Sequence, residues 1–177
     1  STQALITQLD AGRVPLDSSA ARYHVQELEG LPAPVQRFFR AALTDGQPII
    51  TAVTIDMAGT FNLSATGAQW KPFRAQQHVA TRRPGFVWDA SIAMAPGVDV
   101  RVVDSYVEGH GLLHAAIAGL VPMADIQGVG EIARGEFMRW CAEVAWYPTA
   151  LLPSQGVRWT AVDDHSANAT FTDGPIT

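Results

Sequence analysis

Residues 86–109 read FVWDASIAMAPGVDVRVVDSYVEG, and the fold class turns on how the apolar side chains fall within them. Phe86, Trp88, Ala90, Ile92 and Met94 alternate with their neighbours, the period of two that a half-buried strand requires. After the Pro96–Gly97 turn, Val98, Val100 and Val102 align in the same way. Two alternating runs joined by so short a turn predict an antiparallel pair. A bulge near Asp104, shifting the phase of the second run, is expected.

The same period extends upstream. In IDMAGTFNLS (55–64), Ile55, Met57, Phe61 and Leu63 share one face with Gly59, and FRAQQHVAT (73–81) follows as a strand entered through Pro72. Downstream, HGLLHAAIAG (110–119) reads as a short strand or the start of a helix. Residues 119–130 are crowded with glycine and proline and carry no assigned element. VRWTAVDD (157–164) and ANATFT (167–172) predict a hairpin around DDHS, which leaves NATFT without a strand on its far side. That unpaired edge suggests a piece of a longer protein, since exposed edges are usually blunted.

Helical patterns lie on either side of these strands. ALITQLDAG (4–12) and SSAARYHVQELEG (18–30) read as helical, the second with Ser18 or Ser19 as cap. From Pro34, the positions Val35, Phe38, Phe39 and Ala42 follow i, i+3, i+4, i+7, and TDG (44–46) ends that helix. A second long helix is expected over Glu131–Trp146, stopped by Pro148. Sequential strands with short turns and helices to one side give an α+β fold. It is a curved antiparallel β-meander, a half-open barrel of about six or seven strands, with helices packed on one face. Residues 1–30 are expected to form an N-terminal helical segment, and residues 31–177 a single sheet-plus-helix domain, with truncation at its C-terminus also an expectation.

Composition narrows the function classes. The chain has 177 residues, 47% apolar and 16% charged, with a net charge of −5, a folded and rather apolar domain. No basic run is present, so nucleic acid is not an expected partner. The single cysteine, Cys141, rules out an internal disulfide and a cysteine-based zinc cage. No stretch reaches the ~18 apolar residues of a membrane span. The compartment stays open between the cytoplasm and the cell envelope, because a leader can be removed before a chain that starts at Ser1.

Chemistry-bearing motifs are sparse. His110 and His114, on a strand, would stand ~13 Å apart, too far to share one metal, so no metal centre is expected. GVGEIARG places its third glycine too late for a dinucleotide fingerprint and lies outside any βαβ unit, so no cofactor is expected. No G-x-S-x-G elbow occurs. NLS and NAT match the glycosylation acceptor pattern, but such triplets are common by chance.

The helix GEFMRWCAEVAWYP (135–148) holds the remaining candidates. At about 100° per residue with Glu136 at zero, Phe137, Met138, Trp140, Cys141, Val144 and Ala145 span roughly 40° to 200°, an apolar arc expected to face the sheet. Glu136, Arg139 and Glu143 form a charged stripe expected to face water, with a weak i, i+4 pair. Trp146 borders that stripe. If something approaches there, Glu143 becomes a desolvated acid–base group.

LPAPVQRFFRAAL (31–43), WKPFRAQQ (70–77), RPGFVWDA (83–90), DSYVEGHG (104–111) and GEFMRWCAEVAWYPTALL (135–152) occur in that order. As an ordered set, spanning Leu31 to Trp159, they resemble a family of uncharacterised bacterial proteins, a domain of unknown function. The resemblance implies members that continue for several strands past Thr177, some with an N-terminal membrane segment, which makes membrane association through such a segment an expectation. It marks Trp70, Phe73, Trp88, Glu143, Trp146 and Pro148 as motif positions and carries over no catalytic residue. More faintly, the order of elements is similar to the half-barrels of periplasmic lipoprotein carriers.

The expected function is non-catalytic binding of a small apolar or amphipathic ligand, such as a lipid, between sheet and helices. Trp70, Phe73, Tyr106, Trp146 and Trp159 are the candidate ligand contacts, as aromatics at or near element ends. The alternative is a hydrolase-like carboxylate enzyme, with Glu143 as acid or base, Asp104 as second carboxylate and Arg139 as anion holder. A third reading is an interaction module forming a homodimer through an open edge strand.

Overall fold

The computed structural model describes residues 1–17, 21–64 and 66–176. Six strands, β1 (Ala52–Asn62), β2 (Trp70–Ala80), β3 (Gly85–Ala95), β4 (Val98–Val107), β5 (His110–Ile117) and β6 (Val121–Gly128), pair antiparallel in chain order. The sheet is an open meander, with β1 and β6 as its edges. A separate hairpin pairs β7 (Arg158–Ala161) with β8 (Ala167–Thr170), as the DDHS turn predicted. Among the described residues three α-helices form, α1 (Thr2–Ala11), α2 (Ala33–Ala42) and α3 (Glu131–Glu143). The α+β meander is therefore the fold.

Several elements differ from expectation. β6 occupies the stretch read as irregular. Pro122 sits at its start, where the β5–β6 register shifts between Ala115 and Ala116, and a bulge is a place where a strand accommodates proline. The β3–β4 irregularity lies between Ala93 and Ala95, not near Asp104. Asp104 consequently stays in phase with Val100 and Val102 and points to the same face. Among the described residues of 21–30 only Val25–Leu28 is helical, as a 3-10 turn, and the proposed caps Ser18 and Ser19 lie outside the described residues. α3 ends at Glu143, and the chain passes through 3-10 turns at Val144–Trp146, Pro148–Leu151 and Pro153–Gln155.

The main core lies on one face of the sheet, here called the inner face. There Val79, Phe86, Trp88, Ala90 and Tyr106 meet Phe137, Trp140 and Val144 from α3 and its extension, together with Phe39 and Val35 of α2. The aromatic rings run in series, with Tyr106 and Phe137 5.3 Å apart and Phe137 and Trp140 stacked at 6.1 Å. Such contacts add ~1 kcal/mol each to simple burial. α1 adds a layer on the outer face, where Leu9 packs with Val87, Ala80 and Val107.

Two glycines set how closely the helices approach. A Cβ on Gly111 would stand 2.6 Å from the backbone nitrogen of Ala133, so α3 rests directly on β5. A Cβ on Gly85 would meet Leu9 at 2.7 Å and the Tyr106 carbonyl at 2.8 Å, which seats α1 on the outer face. A side chain at Gly111 would displace α3, and one at Gly85 would press on the β4 backbone as well as on Leu9.

Candidate functional site

Strand register puts two polar residues, Gln77 and Asp104, in one row in the middle of the inner face. Ile55, Gln77, Trp88, Asp104, Leu113 and Ile126 stand opposite one another across the six strands. On one side of it, Val79, Phe86, Tyr106 and Gly111 form the row beneath α3. On the other side, Met57, Ala75, Ala90, Val102, Ala115 and Ala124 form an apolar row of mostly small residues. Beyond that lie Phe73, Ile92, Val100 and Ile117.

The charged stripe of α3 is turned onto that polar row. Glu136 is only 9% exposed, whereas Met138 is 64% exposed. The buried arc of the helix is centred near Trp140, about 80° from where the apolar wheel placed it. This corrects the expectation that Glu136, Arg139 and Glu143 face water. The physical reason is that the sheet supplies what a charge needs to leave water: an opposite charge, hydrogen bonds and aromatic faces. Arg139 donates from NH1 to Asp104 Oδ2 at 2.5 Å and from Nε to Glu143 Oε1 at 3.0 Å. Its guanidinium carbon lies 4.8 Å from the Phe86 ring centre and 5.0 Å from that of Trp88, close enough for cation–π attraction. Gln77 Nε2 donates to Glu143 Oε2 at 2.6 Å.

Glu143, Asp104 and Arg139 are thus brought into one cluster on one face of the sheet. Two of the three Arg139 nitrogens, Nε and Nη1, are engaged by these carboxylates. Glu136 is the member that sequence reasoning missed. Burial, together with the neighbouring Asp104 carboxylate, raises its carboxyl pKa from 4.5 to about 8. Burial likewise raises Asp104, against the opposing pull of Arg139. Asp104 Oδ1 is buried with no hydrogen-bond partner among the described residues. A proton held by Glu136 and directed to Asp104 suits that geometry, since two adjacent carboxyls cannot both ionise cheaply. Sequence did carry a signal: an in-phase Asp on an apolar strand implies a buried cation to receive it.

The aromatic candidates scatter. Phe73 lies half-buried on the inner face, 6.2 Å from Phe61 and 6.3 Å from Trp88. Trp70, at an even position of β2, falls on the opposite side and is 60% exposed. Tyr106 is fully buried, its hydroxyl donating to Asp173 Oδ2 at 2.6 Å, so it is a core residue without a ligand-facing surface. Trp159 packs edge-on against Phe39 and donates to the Leu151 carbonyl, away from the sheet centre. Trp146 is 60% exposed, three residues beyond Glu143. Cys141 is half-buried, and burial pushes its thiol up to about 11, far from reactive.

A family profile covers residues 29–177, the whole of the sheet and α3. The chain belongs to DUF6920, a family of unknown function. No curated protein and no solved structure matches it. Membership in DUF6920 therefore establishes kinship and supplies no reaction. Among the described residues no helix is long and apolar enough to cross a membrane.

Proposed function

We propose that this DUF6920 domain binds an amphipathic small molecule along the inner face of its sheet. The observation that carries this is the placement of the polar edge of α3. Asp104, Glu136, Arg139, Glu143 and Gln77 line the boundary between the half-sheet covered by α3 and an apolar half-sheet beyond it. Directly beneath α3 the space is filled by Arg139, Phe86, Tyr106, Phe137 and Trp140, so the ligand belongs in the open half. There Met57, Phe73, Ala75, Val102, Ala115 and Ala124 are only half-buried, and Ile117 is exposed. A floor of small apolar side chains beside a hydrogen-bonding wall accepts a molecule that is apolar along its length and polar on one flank.

Native mass spectrometry and lipid extraction of purified protein test this, alongside titration with the neutral apolar fluorophore 1-N-phenylnaphthylamine. Ala115→Trp fills the floor and is expected to weaken probe binding at least tenfold. Ala58→Trp, on the other side of the sheet, is expected to leave it unchanged. Equal binding by both variants, with no molecule extracted, would refute the proposal.

One observation favours a second reading, acid–base catalysis. Glu136 keeps its proton near neutrality beside Asp104, a pairing seen where carboxyls act as general acids. Both groups are enclosed and Arg139 is already engaged by two carboxylates, so binding remains the better-supported reading.

A further inference from the structure

A cleft lies toward the C-terminal half of α3, away from its β5 contact. Five segments converge on this cleft of about 310 Å³: Val14 after α1, the β2–β3 turn at Thr81–Pro84, Trp140, the Ala150–Val157 region and the Phe171–Asp173 segment. Its volume is at the small end of the range for small-molecule pockets. Phe171, half-buried and in edge contact at 5.9 Å with the buried Trp140, supplies aromatic surface, and the exposed Val14 extends it.

The charges around this cleft differ in kind from those under α3. Arg83 is matched by Glu108, with NH1 2.7 Å from Oε1. Arg82 has no ion pair or side-chain hydrogen bond among the described residues. Asp173 accepts the Tyr106 hydroxyl at Oδ2 and makes no ion pair with either arginine. A cation and a carboxylate therefore line the same cleft without neutralising each other. Gln155, also in the lining, has its Oε1 buried with no hydrogen-bond partner among the described residues. Counting Arg82 and Asp173 with the matched Arg83–Glu108 pair, the cleft carries no net charge. A purely anionic or purely cationic ligand would leave one of the two groups without a charge partner.

We infer that this cleft binds a zwitterionic small molecule with an apolar body, an α-amino acid of the phenylalanine or leucine class. Arg82 receives the carboxylate, Asp173 Oδ1 and Gln155 Oε1 receive the ammonium, and Phe171 and Val14 hold the side chain over the buried Trp140. The site is independent of the inner-face proposal and stands or falls by itself.

The test follows the Trp140 indole N–H by two-dimensional ¹⁵N NMR. The ligands are L-phenylalanine, 3-phenylpropionate (no ammonium) and 2-phenylethylamine (no carboxylate). L-Phenylalanine is expected to shift the Trp140 signal, with roughly tenfold tighter binding than either half-charged analogue, the size of one charge-assisted hydrogen bond. Arg82→Gln is expected to weaken L-phenylalanine and 3-phenylpropionate but not 2-phenylethylamine. Asp173→Asn, which still accepts the Tyr106 hydroxyl, is expected to weaken L-phenylalanine and 2-phenylethylamine but not 3-phenylpropionate. If all three ligands bind alike, the cleft is an unspecific apolar crevice and the inference is wrong. Absence of any Trp140 shift at millimolar L-phenylalanine overturns it equally.

Discussion

The two faces of the sheet carry similar residues and treat them differently. On the outer face, Arg101 grips Asp89 at 2.6 Å, Gln76 joins Asp56 to His78, and Ser91 donates to Asp99. These groups sit at the surface, with the Arg101 side chain 60% exposed. On the inner face, Arg139 and its carboxylates are mostly enclosed, with side-chain exposures of 27% for Arg139, 14% for Asp104 and 16% for Glu143. Water screens the first network and does little for the second. The outer charges are a solvated surface, whereas the inner ones form a unit whose members depend on one another.

That contrast can be broken by mutation. Arg139→Ala leaves Asp104, Glu136 and Glu143 facing each other without a cation, and it removes the guanidinium from Phe86 and Trp88. A loss of about 3–5 kcal/mol is expected in urea denaturation at neutral pH, the cost of breaking a buried pair. Gly111→Ala comes next. Its methyl group would overlap the Ala133 backbone and lift α3 from the sheet, with an expected loss of about 1–3 kcal/mol by overpacking. Gly135→Ala is the control on the same helix, because a Cβ there meets nothing within 4 Å. It is expected to stabilise by about 0.5–1 kcal/mol through helix propensity. Smallest is Arg101→Ala on the outer face, at no more than about 1 kcal/mol. If Arg101→Ala and Arg139→Ala cost the same, the distinction between the two faces fails.

The legible parts of the fold were those whose pattern is local. Val98, Val100 and Val102, or Val35, Phe38, Phe39 and Ala42, show a period within one element and need no partner to be read. β6 was hidden because Pro122 and its flanking glycines look like loop punctuation, and only pairing with β5 makes that stretch a strand. The orientation of α3 was hidden for a related reason. A helical wheel turns charges to water by default, and what reverses the default lies far away in sequence, at Gln77, Phe86, Trp88 and Asp104. Arg139, Glu143 and Asp104 form one candidate set in the sequence; that they meet on one face of the sheet needs the strand register. Glu136 went unnoticed because nothing adjacent to it announces burial.

The account rests on that burial, and Glu136 reports it most directly. An unfolded glutamate loses its proton near 4.5, whereas the folded protein keeps this one up to about 8. The folded state therefore binds more protons through that window, and stability falls as pH rises across it, levelling above 8. Glu136→Gln is expected to remove that contribution to the slope. The decisive measurement is a ¹³C NMR titration of the Glu136 side-chain carboxyl in the folded protein. A midpoint near 8, moving when Asp104 is replaced by Asn, is the predicted result. A midpoint near 4.5, unaffected by Asp104→Asn, would place the charged edge of α3 in water and contradict the account.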